Sequence, residues 1–268
     1  MRGGAVTSVA EVYAALRTLN PSWYVEVGRP SGPGWIAGAD FRDATDGPFH
    51  DFLLRLGERQ KTADRRTIAA SFALRFGWAS AMAIGPYLKF ACVPDIALDN
   101  VSFKFRASTF FERTAMHEPR GTFGDPHVLL RVLRDALVEQ SRPVVNALFE
   151  WSGFARRATW GILTSSWASQ FTNLGEDRRD HRAIRPILDR FFEGDDEVFA
   201  MRPVMHAVEL EGAVHLYQRR ASCCRYYLVP EGHLCASCPL VTHEERLRRN
   251  REWMQAVLAR DGRYIGHD

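Results

Sequence analysis

The chain has 268 residues, 46% of them hydrophobic and 25% charged, with a formal net charge of +3. These are ordinary values for a globular protein with a core large enough to fold without disulfides. They exclude a low-complexity or disordered chain, and so small a charge does not by itself call for nucleic acid or an anionic membrane.

No run of about 18 apolar residues is present; the Ala-rich stretch from Ile68 to Ile84 comes nearest, and Arg75 interrupts it. Met1 to Ser8 lack the apolar centre of a signal peptide. The expectation is a cytoplasmic protein with no integral membrane segment, held as one large domain or two small ones.

In chain order, Val9, Val12, Tyr13, Leu16 and Leu19 have helical spacing, predicting a helix over Val6–Leu19 ended by Asn20-Pro21. Trp23–Val27 alternates as a short strand, and a turn-rich stretch with Gly28, Pro30, Gly32, Pro33, Gly34 and Gly38 follows. Its glycines match neither a dinucleotide fingerprint nor a phosphate loop, so it reads as a loop. Phe49–Glu58 reads as a short helix, and Ala63–Ile84 as one long core helix stopped by Gly85-Pro86. Ile96–Ala107 alternates as a strand, with Val101, Phe103 and Phe105 inward and Lys104 and Arg106 outward. Cys92, among Phe90, Ala91 and Val93, reads as a buried, inert thiol.

Phe110–Pro126 reads as loop, and its His117, Glu118 and His127 match no standard metal spacing. They read as surface residues, or as the border of a substrate cleft. Helical patterns return at Val128–Gln140 and Val144–Trp151, broken by Pro143, and at Phe154–Phe171, which carries Trp160 and Trp167 two turns apart. After a polar break at Asn173–Asp180, His181–Phe192 is amphipathic, kinked at Pro186 or beginning near Arg185. Gly194-Asp195-Asp196 reads as a turn, Val198–Pro203 as a strand, and Val204–Leu216 as strand with a hairpin turn at Glu211-Gly212. Thr242 and Glu245 have capping-box spacing for a last helix running to about Arg260. In it Leu247, Met254, Val257 and Leu258 point inward, and Gly262 lies past its end.

Between that hairpin and that helix lie four of the chain's five cysteines: Cys223, Cys224, Cys235 and Cys238, in the pattern C-C-x10-C-x2-C. Four thiolates suit zinc or an iron–sulfur cluster. Cys235 and Cys238, three apart on a turn, can converge on one metal. Neighbouring side chains on a regular strand point to opposite faces, so Cys223 and Cys224 share a metal only if the chain bends there. Zinc ribbons use two spaced pairs, and the vicinal pair tilts the choice toward iron. Candidate groups around the sulfurs are Ser222, Ser237, Arg219, Arg220 and Arg225, and positive neighbours would raise a cluster's potential. His233 lies within the cysteine loop and His215 shortly before it, but four cysteines leave histidine ligation unnecessary.

The run from Arg219 to Tyr227 (Arg-Arg-x-Ser-Cys-Cys-x-x-Tyr), followed by Leu-Cys-x-x-Cys-Pro-Leu, resembles the C-terminal signature of FhuF-like ferric siderophore reductases. Arg157-Ala158-Thr159-Trp160-Gly161 running on to Ser165-Ser166 is similar to that family's Leu-Trp-Gly-Asn-x-Ala-Ser segment, with Thr159 for Leu and Ile162 for Asn. Ala83-Ile84-Gly85-Pro86 looks like part of its N-terminal half; of these matches only the cysteine motif is specific. The resemblance implies a [2Fe–2S] cluster on Cys223, Cys224, Cys235 and Cys238. It implies a reductase that passes one electron to Fe(III) in a hydroxamate-type siderophore. The ferrous ion, weakly held by hard oxygen donors, would then be released. Its partners would be the ferric siderophore and an external donor (a ferredoxin, a flavoprotein or another reductant), since no nicotinamide or flavin motif is present. The chain divides on this basis into a body over 1–217, a cluster motif over 218–241 and a C-terminal helix over 242–268 that packs on the body. The fold class expected is α+β: a helix-rich body with antiparallel strands, and the cluster loop clamped between a strand and the last helix. Competing readings are a structural four-cysteine zinc site, an electron-transfer or redox-sensing module with a protein partner, and a siderophore synthetase relative. The last lacks an ATP site.

Overall fold

The computed structural model describes residues 6–19, 25–175, 180–194 and 196–259. Asn20, Pro21, Trp23, the middle of the 173–180 break, Asp195, the side chain of Val257, Arg260 and Gly262 lie outside the described residues.

Eight helices and eight strands are described, and the α+β class holds. A four-stranded sheet has the order β1 (Val25–Val27), β5 (Phe111–Met116), β4 (Val101–Phe105), β2 (Trp35–Ala37). Its pairs are antiparallel except β1 with β5, which run parallel. β3 (Cys92–Pro94) pairs with β6 (Gly121–Phe123), and β7 (Val204–Leu210) with β8 (Ala213–Arg219), both antiparallel. The expected loop over Phe110–Pro126 is therefore two strands. Charged Glu112 and Arg113 hide β5 from a hydrophobic pattern, yet Arg113 pairs sideways with Glu26 of β1 at 3.0 Å. β2 lies in the stretch expected to be loop, and Phe199–Met201, expected to be strand, is a 3-10 turn.

Helix α1 (Val9–Leu19) and helix α2 (Gly47–Arg59) agree with expectation. The long helix does not. It is two: α3 (Arg65–Trp78) and α4 (Ala81–Phe90), separated at Ala79-Ser80, where the backbone tightens and the Ser80 hydroxyl donates to Gly77 O at 2.7 Å. Pro86 does not stop α4. Lacking an N–H, it leaves the Met82 carbonyl unpaired within the helix, and the Tyr13 hydroxyl of α1 supplies that hydrogen bond at 2.8 Å. The combined stretch Arg65–Phe90 is long and apolar enough to cross a membrane by length and composition, but 83% of its most apolar 18-residue window is buried inside the fold.

α5 (Pro126–Ser152) runs unbroken through Pro143, opened by the Asp125 carboxylate, which accepts from His127 N–H, and closed by left-handed Gly153. α6 (Arg156–Leu174) packs against α3, where a β-carbon at Gly77 would fall 2.5 Å from Ser166 Cβ. α7 (Arg185–Phe191) begins at Arg185, with Pro186 in its first turn, where a missing N–H costs nothing. Rings of Phe41, Phe49, Phe72, Phe76 and Phe103 fill the space between α2, α3 and the sheet. A second aromatic group, with Trp160, Trp167, Phe191 and Phe199, fills the space between α6 and α7. Both α3 and α6 are buried on nearly all faces, which makes them the central pair.

β7 and β8 are joined at Glu211-Gly212. Both residues have positive φ (52° and 79°), the conformation a two-residue hairpin of matching twist requires. α8 (His243–Ala259) packs on β7, and Glu245 N–H donates to Thr242 Oγ1 at its start. Its inward stripe corrects the expectation. Arg246, Asn250 and Met254 are buried, while Leu247 and Leu258 are only partly so.

Candidate metal centre at the cysteine loop

β8 delivers Arg219 and Arg220 to the loop, and α8 closes it from the other side. The loop is held down on α6 at three points. Ala221 N–H donates to Ser165 Oγ at 3.2 Å, and Gln218 Nε2 donates to Ser165 O at 2.9 Å. Gly161 admits the loop at close range, since a β-carbon there would lie 2.8 Å from Ser222 Cβ. The bend expected beside the vicinal pair is present. Cys223 and Cys224 lie in irregular backbone, followed at once by Arg225 with φ 58°. The Cys235–Cys238 half is a tight turn, with Cys238 N–H donating to Cys235 O at 3.0 Å. Arg220 N–H joins the halves by donating to Ser237 O at 2.8 Å.

The four thiols share one neighbourhood. Cys223 lies close enough to Cys238 and Cys224 to feel their charge. Arg220 interacts with Cys235, Cys224 and Cys238, and its Nη2 donates to Cys235 Sγ at 2.6 Å. Cys224 and Cys238 are buried, whereas Cys223 and Cys235 are partly exposed, and all four are free thiols. Burial pushes the Cys223 thiol up to about 11, with Cys238 and Cys224 adding to the rise and the Arg225 N–H opposing it. Among the described residues, no three His, Cys, Asp or Glu side chains are gathered as a site for a single ion. A binuclear cluster asks for a wider set, two thiolates on each iron.

Of the three expected cations, Arg219, Arg220 and Arg225, only Arg220 turns its guanidinium onto a sulfur. Arg219 is exposed, and Arg225 reaches away to Asp64 (2.8 Å) and Thr67 (3.1 Å) at the start of α3; only its backbone N–H faces a sulfur, Cys223 Sγ at 3.3 Å. Arg220 does turn inward, donating from Nε to Ser237 Oγ at 2.9 Å. Burial pulls its guanidinium down, the thiols of Cys235, Cys224 and Cys238 pull it up, and the net is a rise. Two arginines that the sequence pattern does not single out complete the surroundings. Arg246 donates to Cys238 O (2.8 Å) and Val241 O (2.7 Å). Arg75, in the middle of α3, lies close enough to Cys224 and Tyr226 to feel their charge, and burial pulls its guanidinium down to about 10. Its one signal in the sequence is a lone charge in an apolar run. The donor set suits an anionic sulfur cluster: four thiols, with the Arg220 guanidinium and the Arg225 N–H aimed at sulfur.

Residues 220–240 match the family model of the FhuF 2Fe-2S C-terminal domain. The cysteine loop is thus similar to the FhuF-type iron–sulfur domain. Its cofactor is a [2Fe–2S] cluster, and its role is redox. The FhuF match covers the loop and not the body, and no curated protein matches the chain. Gly161 and Ser165, within the second stretch similar to the family, are the α6 residues on which the cysteine loop rests.

The other candidates stand apart. His215 is buried and stacks on His181 at 4.8 Å, and His233 is exposed, edge-on to Tyr226 at 5.6 Å. Cys92 is fully buried in β3, where burial pushes its thiol up to about 11. His117 bridges Ser102 Oγ (2.8 Å) and Asp99 O (3.2 Å), and His127 meets Arg190.

Proposed function

We propose that Cys223, Cys224, Cys235 and Cys238 hold the [2Fe–2S] cluster and that the protein is a cytoplasmic ferric-siderophore reductase. In this reading one electron passes to Fe(III) in a hydroxamate-type siderophore, and Fe(II) leaves the weakened chelate. A bound [2Fe–2S] cluster supplies electrons one at a time, and an external ferredoxin, flavoprotein or other reductant replaces each one spent.

The observation that carries the reading is how the thiols divide. Cys224 and Cys238 are buried, Cys224 within the core of the body, while Cys223 and Cys235 are partly exposed on the same loop. Such a site is anchored on one side and open to electron exchange on the other. Tyr227, Leu228 and Leu240, 41%, 48% and 55% exposed, belong to the same loop and give a bulky chelate an apolar surface to rest on. The chemistry asks for no nucleophile or acid–base pair, because the product differs from the substrate by one electron on iron.

The test is anaerobic. Dithionite-reduced protein gives the paramagnetic signal of a reduced [2Fe–2S] centre, and adding a ferric hydroxamate abolishes it while a ferrous chelator traps one Fe(II) per electron. Persistence of the signal with no ferrous iron trapped defeats the reductase reading. Reoxidation by a protein acceptor alone would favour the electron-transfer module. A colourless protein containing zinc and no acid-labile sulfide would favour the structural site.

A further inference from the structure

Besides Arg249, which pairs with Glu245 while donating to Leu234 O, three arginines approach the cysteine loop: Arg75 from α3, which packs on residues 226–228, Arg220 from just past β8, and Arg246 from the first turn of α8. Arg75 and Arg246 are 6% and 2% exposed. Arg220 is partly buried, with its Nη1 enclosed and without a hydrogen-bond partner. None of the three forms an ion pair with a carboxylate among the described residues. Their hydrogen bonds end on neutral oxygens and on sulfur. Arg75 donates to Thr109 O and Ser71 O, both at 3.0 Å; Arg246 to Cys238 O and Val241 O; Arg220 to Ser237 Oγ and Cys235 Sγ.

An arginine keeps its proton in the interior, and a buried charge without a counter-charge costs several kcal/mol. Three such charges around one loop, while its nearby acids Asp64, Glu231 and Glu245 are paired with Arg225, Lys61, Arg248 and Arg249, call for a further negative group. Four thiolates on two ferric irons and two sulfides carry a net negative charge, and one added electron increases it by one unit.

We propose that Arg75, Arg220 and Arg246 form a cationic cage whose counter-ion is the cluster itself. The cage raises the cluster's reduction potential, and the cluster in turn stabilises the fold by compensating the cage. This rests on the cysteine ligation proposed above. Fixed positive charge favours the reduced state because that state is the more negative. The same attraction, read from the protein's side, makes loading a stabilising event.

Arg75 is the informative position, because it touches the cluster's surroundings without being part of the loop. Arg75→Met and Arg75→Lys are compared with wild type, each as cysteine-reduced, cluster-free protein and as loaded protein. Thermal melting and a potential titration followed by electron paramagnetic resonance are the readouts. At the wild-type midpoint potential, Arg75→Met is expected to shift the reduced-to-oxidised ratio about tenfold toward oxidised, about 59 mV for a one-electron couple. Arg75→Lys is expected to keep most of the wild-type value. Cluster-free Arg75→Met should melt no lower than cluster-free wild type, while the stabilisation gained on loading shrinks. Arg246→Met should move potential and loading gain in the same directions. A purely structural arginine would lower both melting temperatures together and leave the potential in place, and that pattern in both Met variants overturns the proposal. Failure of cluster-free Arg75→Met to fold overturns it too. Absence of any reduced-cluster signal in wild type removes the ligation reading and the cage with it, whereas a normal signal with unmoved potentials removes the cage alone.

Discussion

Gly161 lies directly beneath Ser222: a β-carbon on the glycine would fall 2.8 Å from Ser222 Cβ and 3.3 Å from Ala221 Cβ. The backbone of α6 meets the β-carbons of the cysteine loop at this point. Gly161→Ala forces the loop outward, an overpacking cost of about 1–3 kcal/mol. The expected result is a lower melting temperature and less iron and acid-labile sulfide per chain. Ser165→Ala removes the hydroxyl that accepts from Ala221 N–H and donates to Gly161 O, for about 1 kcal/mol, and adds no bulk beneath the loop. Metal and sulfide analysis separates the two, and wild-type loading of Gly161→Ala would mean that the close approach does not hold the loop.

Tyr13 and Pro86 form a second linked pair. The Met82 carbonyl is buried where Pro86 has no N–H to give, and the Tyr13 hydroxyl takes that place at 2.8 Å. Tyr13→Phe should cost about 1–3 kcal/mol, the price of an unmet buried acceptor. Pro86→Ala restores a backbone donor to the helix, so the double variant should recover most of the loss. Urea unfolding of the four proteins gives the coupling energy. Simple additivity would show that the hydroxyl and the missing N–H are unrelated.

These residues also mark where the sequence was legible. The cysteine motif could be read because metal ligation fixes ligand spacing locally, and the hairpin turn could be read because Glu211-Gly212 carries its own turn chemistry. Pro86 could not, because the hydroxyl that rescues the helix comes from a residue 69 positions away. The break at Ala79-Ser80 was hidden because α3 is buried on nearly every side, leaving no polar face to lose its rhythm. In α8, the apolar stripe leaves out Arg246 and Asn250, whose partners, Cys238 O and His206, come from other elements. Arg75 stood out only as an interruption of an apolar stretch. Its position beside the cysteine loop depends on the packing of α3 against residues 226–228.

Asp64 joins the start of α3 to the cysteine loop. One oxygen accepts from Arg66 N–H at 3.1 Å, capping the helix, and the other accepts from Thr67 Oγ1 (2.6 Å) and from Arg225 Nη2 (2.8 Å). Asp64→Ala loses cap and ion pair together, and the cap alone is worth about 0.5–2 kcal/mol. Asp64→Ser keeps a capping oxygen but not the charge, so its stability should fall less. Both should speed amide exchange across residues 225–232 by freeing Arg225. Unchanged exchange in both variants would show that the loop is held without this carboxylate.

His206 gives the molecule an acid limit. On β7, its Nε2 accepts from the Asn250 side-chain amide of α8 at 2.9 Å, which requires that nitrogen to be unprotonated. Burial, with Arg246 and His243 nearby, holds its imidazole down to about 4, against an ordinary value of 6.5. The unfolded chain therefore takes up a proton at a pH where the folded chain refuses it. The stabilisation from a neutral His206 is complete above about pH 6.5 and is lost as the pH falls toward about 4. Urea midpoints of the cluster-free protein should drop between pH 7 and pH 5, and His206→Gln, which cannot take up that proton, should flatten the drop. An identical decline in the variant would assign the acid sensitivity to other groups and leave the contact between β7 and α8 indifferent to pH.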